Sequence, residues 1–96
     1  MTMRSQGSYY VYMLLCDDGS YYTGYSSNPA IRLFEHLKGR GARYTRTHKP
    51  SGIVHVERLR TRRAAMKRER EIKTLTHEEK RNLVEEATSA ASIKSV

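Results

Sequence analysis

The stretch from Tyr9 to Ser26, YYVYMLLCDDGSYYTGYS, constrains this chain more than any other. Tyr9 to Cys16 is a run of apolar, aromatic and β-branched residues, the pattern of a strand buried on both faces and therefore central in its sheet. Asp17-Asp18-Gly19-Ser20 is turn chemistry, because glycine accepts positive φ and aspartate bonds back to its own backbone. Tyr21 to Tyr25 then reads as the returning strand. Six of the chain's seven tyrosines lie in this hairpin, so their phenols either pack a core or converge on a ligand, and the strand register decides which.

The remaining segments complete a short element list. Ser27-Asn28-Pro29 is a helix start, with Ser27 or Asn28 able to cap and Pro29 suited to the first turn; the helix is expected to reach about Lys38. Gly39 to Pro50, GRGARYTRTHKP, has loop composition. Ile53 to Leu59 reads as a third strand, and a cationic helix follows from Thr61. Thr76 with Glu79 is a capping-box signature for a last helix running to about Ala87. The order β-β-α-β-α-α predicts an α/β chain of the α+β type, a small three-stranded antiparallel sheet flanked by helices. We expect a flexible N-terminus over residues 1–7, one domain over 8–87 and a disordered tail over 88–96.

Bulk properties bound the function. Ninety-six residues with a formal charge of +8 make one domain whose surface attracts polyanions, nucleic acid first among them. No apolar run approaches the roughly 20 residues that span a bilayer, and the first residues carry no export signal, so a cytoplasmic protein is expected. Cys16 is the single cysteine, which excludes an intrachain disulfide and reads as a small buried hydrophobe. His36, His48, His55 and His77 lack zinc-finger spacing, and Gly39-x-Gly41 follows no strand, so neither a zinc centre nor a nucleotide-cradling loop is expected.

Tyr10-Val11-Tyr12, then Tyr22-Thr23-Gly24, then NPAIRLFEH and RAAMKREREIK, resemble in order and spacing the GIY-YIG nuclease superfamily. The similarity is to its small stand-alone YhbQ/YazA-like branch and covers residues from about 8 to 86. It implies a GIY-YIG endonuclease-like fold and a hydrolase cutting phosphodiester bonds. The resemblance puts the two motif tyrosines on Tyr12 and Tyr22, the helical arginine on Arg32, the position one turn later on His36 and the metal-binding glutamate on Glu69. The cofactor implied is Mg2+ or another hard divalent cation such as Mn2+. Val11 stands where isoleucine is usual, Tyr10 where glycine is, Thr23 at the middle isoleucine of the second motif, and Tyr25 where some members carry lysine.

Physical reasoning reaches part of the same assignment. On a helix, Arg32 and His36 share a face, while Ile31, Phe34 and Leu37 form an apolar stripe expected to turn toward the sheet. A forked guanidinium suits the extra negative charge that phosphorus oxygens gain during hydrolysis, and one carboxylate plus water and phosphate suits magnesium. On the residues alone, a solvated Arg32/His36 face and a Glu69–Lys73 pair at i,i+4 are the commoner reading. Tyr12 is the expected proton acceptor for the attacking water, its pKa lowered by Arg32 and the metal, with Tyr22 orienting; His36 is the rival base.

Nucleic-acid contacts are expected from Arg40, Arg43, Arg46, Lys49, Arg63, Lys67 and Arg68, in a wider set that includes Arg58, Arg60, Arg62 and Arg70. Tyr44 is expected to stack on a base. DNA is favoured over RNA, and target selectivity is expected from nucleic-acid structure or from a partner protein, in repair or recombination. The alternative is a non-catalytic nucleic-acid-binding module that keeps the fold. Both depend on the hairpin. A two-residue Asp18-Gly19 loop sends Tyr12 and Tyr22 to opposite faces; a three-residue loop with left-handed Gly19 in a G1 bulge puts Tyr12 opposite Gly24 and both phenols on one face. We expect the second register, with Gly24 leaving open space for water and phosphate and a pocket reached by Arg32, His36 and Glu69.

Overall fold

The computed structural model describes residues 8–95, with side chains through residue 87. The expected flexible segment 1–7 and Val96 lie outside the described residues. The elements run β1 (Tyr9–Cys16), β2 (Tyr21–Ser26), α1 (Pro29–Leu37), α2 (Arg43–Thr47), β3 (Pro50–Leu59), α3 (Arg62–Lys73) and α4 (His77–Ser95). The three strands form one sheet in the order β2-β1-β3, both pairings antiparallel. β1 is central and Val11, Tyr12, Met13 and Leu14 are all buried, as a continuous apolar run requires.

The hairpin adopts the three-residue register. Gly19 has φ of +84°, its N–H donates to the Cys16 carbonyl at 2.9 Å, and the Cys16 N–H donates to the Ser20 carbonyl at 2.9 Å. Leu14 therefore pairs with Tyr22 and Tyr12 with Gly24. Asp18 closes the turn by accepting from both the backbone and the hydroxyl of Ser20, at 3.0 and 2.6 Å.

Alternation then divides the sheet. Val11 and Met13 face α3 and pack with Ala65 and Ile72, supported by Tyr9, Tyr21, Tyr25, Val54, Leu59 and Leu75. α3 starts at the Thr61 cap, whose hydroxyl accepts from the Ala64 N–H. A partly buried cluster ties it to β3: Arg68 donates twice to the Glu57 carboxylate, at 2.7 and 3.0 Å, and His55 sits 2.8 Å from the same group. The Thr76–Glu79 capping box forms in both directions.

Four local expectations change. Residues 39–50 are not all loop, since Arg43–Thr47 close one short helix, and β3 begins at Pro50 rather than Ile53. Proline is tolerated there because it is the first residue of an edge strand. α4 continues to Ser95, past the end expected near Ala87. The largest change is the rotation of α1. Ile31, Phe34 and Leu37 are exposed at 59%, 54% and 50%, and the buried residue of the helix is His36. The buried phenol of Tyr12 needs a hydrogen-bond partner, and leaving one unmade costs about 1–3 kcal/mol, which favours the imidazole facing inward. Among the described residues no helix is long and apolar enough to cross a membrane.

Candidate active site

At the β2 edge of the sheet, a cavity of about 390 Å3 is lined by Tyr12, Tyr22, Gly24, Tyr25, Ser26, Arg32 and Glu69. Two strands and two helices contribute to it. β1 and β2 supply the tyrosines through the register, with ring centroids 6.4 Å apart. α1 supplies Arg32, launched by Asn28, whose side chain accepts from the Ile31 N–H, with Pro29 in the first turn. α3 supplies Glu69.

Gly24 differs from its expected role. The space opposite it is filled by the Tyr12 phenol: a Cβ at Gly24 would lie 2.6 Å from the Tyr12 hydroxyl oxygen. The glycine admits the phenol to the cavity wall instead of holding a void for water.

Behind Tyr12 runs a chain of three hydrogen bonds. The Thr45 hydroxyl donates to the Ala42 carbonyl at 3.0 Å, so toward His36 Nδ1, 2.6 Å away, it must accept. That assigns the imidazole proton to Nδ1 and leaves Nε2 as the acceptor for the Tyr12 hydroxyl at 3.0 Å. His36 is 1% exposed and does not line the cavity, contrary to the expectation that it would reach the pocket. Gly41 presses on its ring so closely that a Cβ there would overlap it.

Electrostatics separate these groups. Burial raises the Tyr12 phenol far above its ordinary value, Tyr22 adds to that, and the nearby Arg32 guanidinium opposes without prevailing. The expected lowering by Arg32 is thus overridden by desolvation. Burial likewise raises Tyr22. Burial first, then Arg32, lowers His36, which stays neutral. Arg32 is held charged by donating from Nη1 to Glu35 Oε1 at 2.8 Å. Burial raises the Cys16 thiol, in keeping with an unreactive core residue.

Glu69 shows both behaviours open from sequence. It pairs with Lys73 through Oε2 at 3.3 Å and also lines the cavity. No cluster of three or more potential metal ligands exists among the described residues. A single hard carboxylate in a roomy polar cavity fits a cation that keeps water and takes its other ligands from a phosphate, as Mg2+ and Mn2+ do.

The expected nucleic-acid residues divide. Arg40, Arg43, Arg46, Lys49, Arg63 and Lys67 are exposed. Arg68 is committed to Glu57 and Glu71, so it is a structural tie between α3 and β3. Tyr44 stacks on His48, centroids 3.8 Å apart, and lies 6.1 Å from Tyr22, so its ring buttresses the site and does not stand clear for a base. Sequence reasoning missed Thr45, Gly41, Glu35 and Ser26. Glu35, three residues after Arg32, was detectable from helical spacing; Thr45 and Gly41 sit in a segment without periodicity and carry no such signal.

Comparison with known proteins shows the family. The GIY-YIG catalytic domain profile matches residues 8–82. A UPF0213 protein of Haloquadratum walsbyi is 49% identical over 80 residues, covering 83% of this chain and 90% of the relative. Another from Staphylococcus aureus is 43% identical over 79 residues, covering 82% and 96%. Among solved structures, the solution structure of a UPF0213 protein from Bacillus halodurans matches with a TM-score of 0.52 at 40% identity, covering 81% and 83% of the two chains. The solution structure of the protein EF2693 from E. faecalis matches with a TM-score of 0.55 at 42% identity, covering 84% and 88%. The chain belongs to the GIY-YIG family, an endonuclease superfamily whose members typically use divalent metals, and its relatives over most of its length are small stand-alone UPF0213 proteins.

Proposed function

We propose that this protein is a metal-dependent endonuclease that hydrolyses phosphodiester bonds in DNA, selecting its target by structure rather than sequence, in cytoplasmic repair or recombination. The observation that carries the reading is one cavity in which Arg32 and Glu69, from different helices, face the phenols of Tyr12 and Tyr22. Arg32 would bind the non-bridging oxygens and stabilise their charge as water attacks phosphorus. Glu69 would hold Mg2+ or Mn2+, which when bound neutralises charge on the phosphate. Tyr22 and Ser26 would orient the water and the strand.

The proton route follows the hydrogen-bond direction. The Tyr12 hydroxyl proton points at His36 Nε2, and its oxygen, which also accepts from Arg32, keeps its second lone pair for the cavity. As the new O–P bond forms, the water proton passes to Tyr12 while the Tyr12 proton passes to His36. Tyr12 is never a free phenolate, which its burial disfavours. The O–P bond to the leaving oxygen breaks, and that oxygen takes a proton from solvent. Tyr12 and His36, rivals as base when only the sequence is considered, become two stations of one relay.

The test is a Mg2+ and Mn2+ cleavage screen over branched, flapped, single-stranded and duplex substrates, DNA and RNA, with Arg32→Ala and Glu69→Gln alongside. Cutting by the parent chain, reduced about 100-fold or more in either variant with affinity retained, is expected. Binding without cutting on every substrate would leave the nucleic-acid-binding module as the reading.

A further inference from the structure

A second cavity, of about 370 Å3, is lined by Ser8, Arg58, Leu59 and Arg60. Its relation to the first cavity follows from register. Tyr10 pairs with Ser26 on β2 and with Arg58 on β3, so Ser26, Tyr10 and Arg58 form a row across the sheet. The neighbouring row on the same face is Gly24, Tyr12 and Val56. Residues paired across strands project to the same side. Arg58 therefore stands on the active-site face, with Tyr10 between it and Ser26. Arg60 follows β3 in a bend and lines the same cavity as Arg58.

Among the described residues this corner lacks a counter-charge. Arg58 donates from Nε to the Ser8 hydroxyl at 3.0 Å, which fixes the guanidinium and leaves its terminal nitrogens available. All ten acidic side chains of the chain lie between residues 17 and 86, within the described residues. Their ion pairs go to Arg32, His48, His55, Arg68 and Lys73, and none reaches Arg58 or Arg60. Two exposed guanidiniums lining one cavity repel each other unless an anion joins them, and forked donors match phosphate oxygens.

We propose that Arg58, Arg60 and Ser8 form a second phosphate site, which holds the nucleic-acid backbone a short distance from the bond being cut, with Tyr10 supporting the sugar or base between. This rests on the endonuclease reading for the identity of the first site. β2 and β3 lie about 10 Å apart across β1, two strand spacings, which corresponds to about two phosphate-to-phosphate steps along one strand. The site therefore sets a minimum length for tight binding.

The experiment is a titration of the full chain with oligothymidylates from dinucleotide to octanucleotide in metal-free buffer, followed by 15N-resolved NMR and affinity. Dinucleotide should move signals around Gly24, Ser26 and Arg32 only. From about tetranucleotide, the Arg58 Nε–H and the Ser8 and Arg60 amides should move, and affinity should step up at that length. Arg58→Ala with Arg60→Ala should abolish the step and lower the salt slope by about 0.7 for each phosphate no longer neutralised, with dinucleotide affinity unchanged. Both positions are exposed, and the amide spectrum of the variant verifies its fold. Silent Arg58 and Arg60 signals through octanucleotide, or a step that survives in the double variant, would overturn the proposal. A step that behaves as expected in a chain that cuts nothing would support the phosphate site while removing the endonuclease reading.

Discussion

The Tyr12 hydroxyl and His36 Nε2 meet at 3.0 Å across 24 residues of chain, both side chains buried, and the direction of that bond is fixed by Thr45 on the far side of the imidazole. Thr45→Val removes the acceptor of the Nδ1 proton and frees His36 to place its proton on Nε2, facing Tyr12. We expect the tautomer to change in 15N spectra of the imidazole and stability to fall by about 1–2 kcal/mol. Cleavage should drop at least tenfold with nucleic-acid affinity unchanged, and Thr45→Ser should restore both tautomer and rate. An unchanged tautomer in Thr45→Val would show that the hydroxyl does not orient the ring.

Gly41→Ala tests the same ring from its other side. The added methyl would overlap the imidazole, with Cγ and Cε1 of His36 only 2.7 Å away, and a buried ring has little room to yield. A loss of about 1–3 kcal/mol in urea unfolding is expected, together with a displaced His36 resonance. A variant as stable as the parent would mean that the loop over His36 relaxes freely.

Stability should fall with acid in two stages. Burial lowers His36 from 6.5, so the unfolded chain binds that proton first; its contribution is complete above about pH 6.5 and is lost as pH falls through the folded value. Hydrogen bonds from Arg68, the largest cause, and from His55 lower the Glu57 carboxyl from 4.5, giving a contribution present above about pH 4.5 and lost below it. Urea midpoints across this range should show both limbs. His36→Gln should flatten the upper one and Glu57→Gln the lower; a limb that persists in its own variant belongs to another group.

Thr23 offers a stabilising substitution. Its side chain is 3% exposed, it pairs with Met13 on the core face, and its hydroxyl has no hydrogen-bond partner. Thr23→Val keeps the shape and removes the stranded polar group, so a gain of about 1 kcal/mol is expected, raising Tm by roughly 4–8 °C. The position accepts the change if its only demand is packing; a lower Tm would mean that an ordered water satisfies the hydroxyl.

What the sequence by itself determined is what depends on neighbours along the chain. The Asp17-Asp18-Gly19 turn, the Asn28-Pro29 helix start, the Thr61 cap and the Thr76–Glu79 capping box are local hydrogen-bond and φ requirements, and each forms as its residues dictate. The turn in particular set the register, and through it the shared face of Tyr12 and Tyr22, because side chains alternate with a period of two. Tertiary structure decided whatever depended on satisfying groups far apart in sequence. The helical pattern of α1 argued for burying Ile31, Phe34 and Leu37, yet His36 turned inward because a phenol 24 residues earlier needed an acceptor. The cationic run of α3 looked uniformly available to phosphate until Glu57, on another element, claimed Arg68. Periodicity reports how apolar a helix face is, but not which buried polar atom on another element will require a partner, and the cost of leaving that atom unpaired outweighs partial exposure of a few aliphatic side chains.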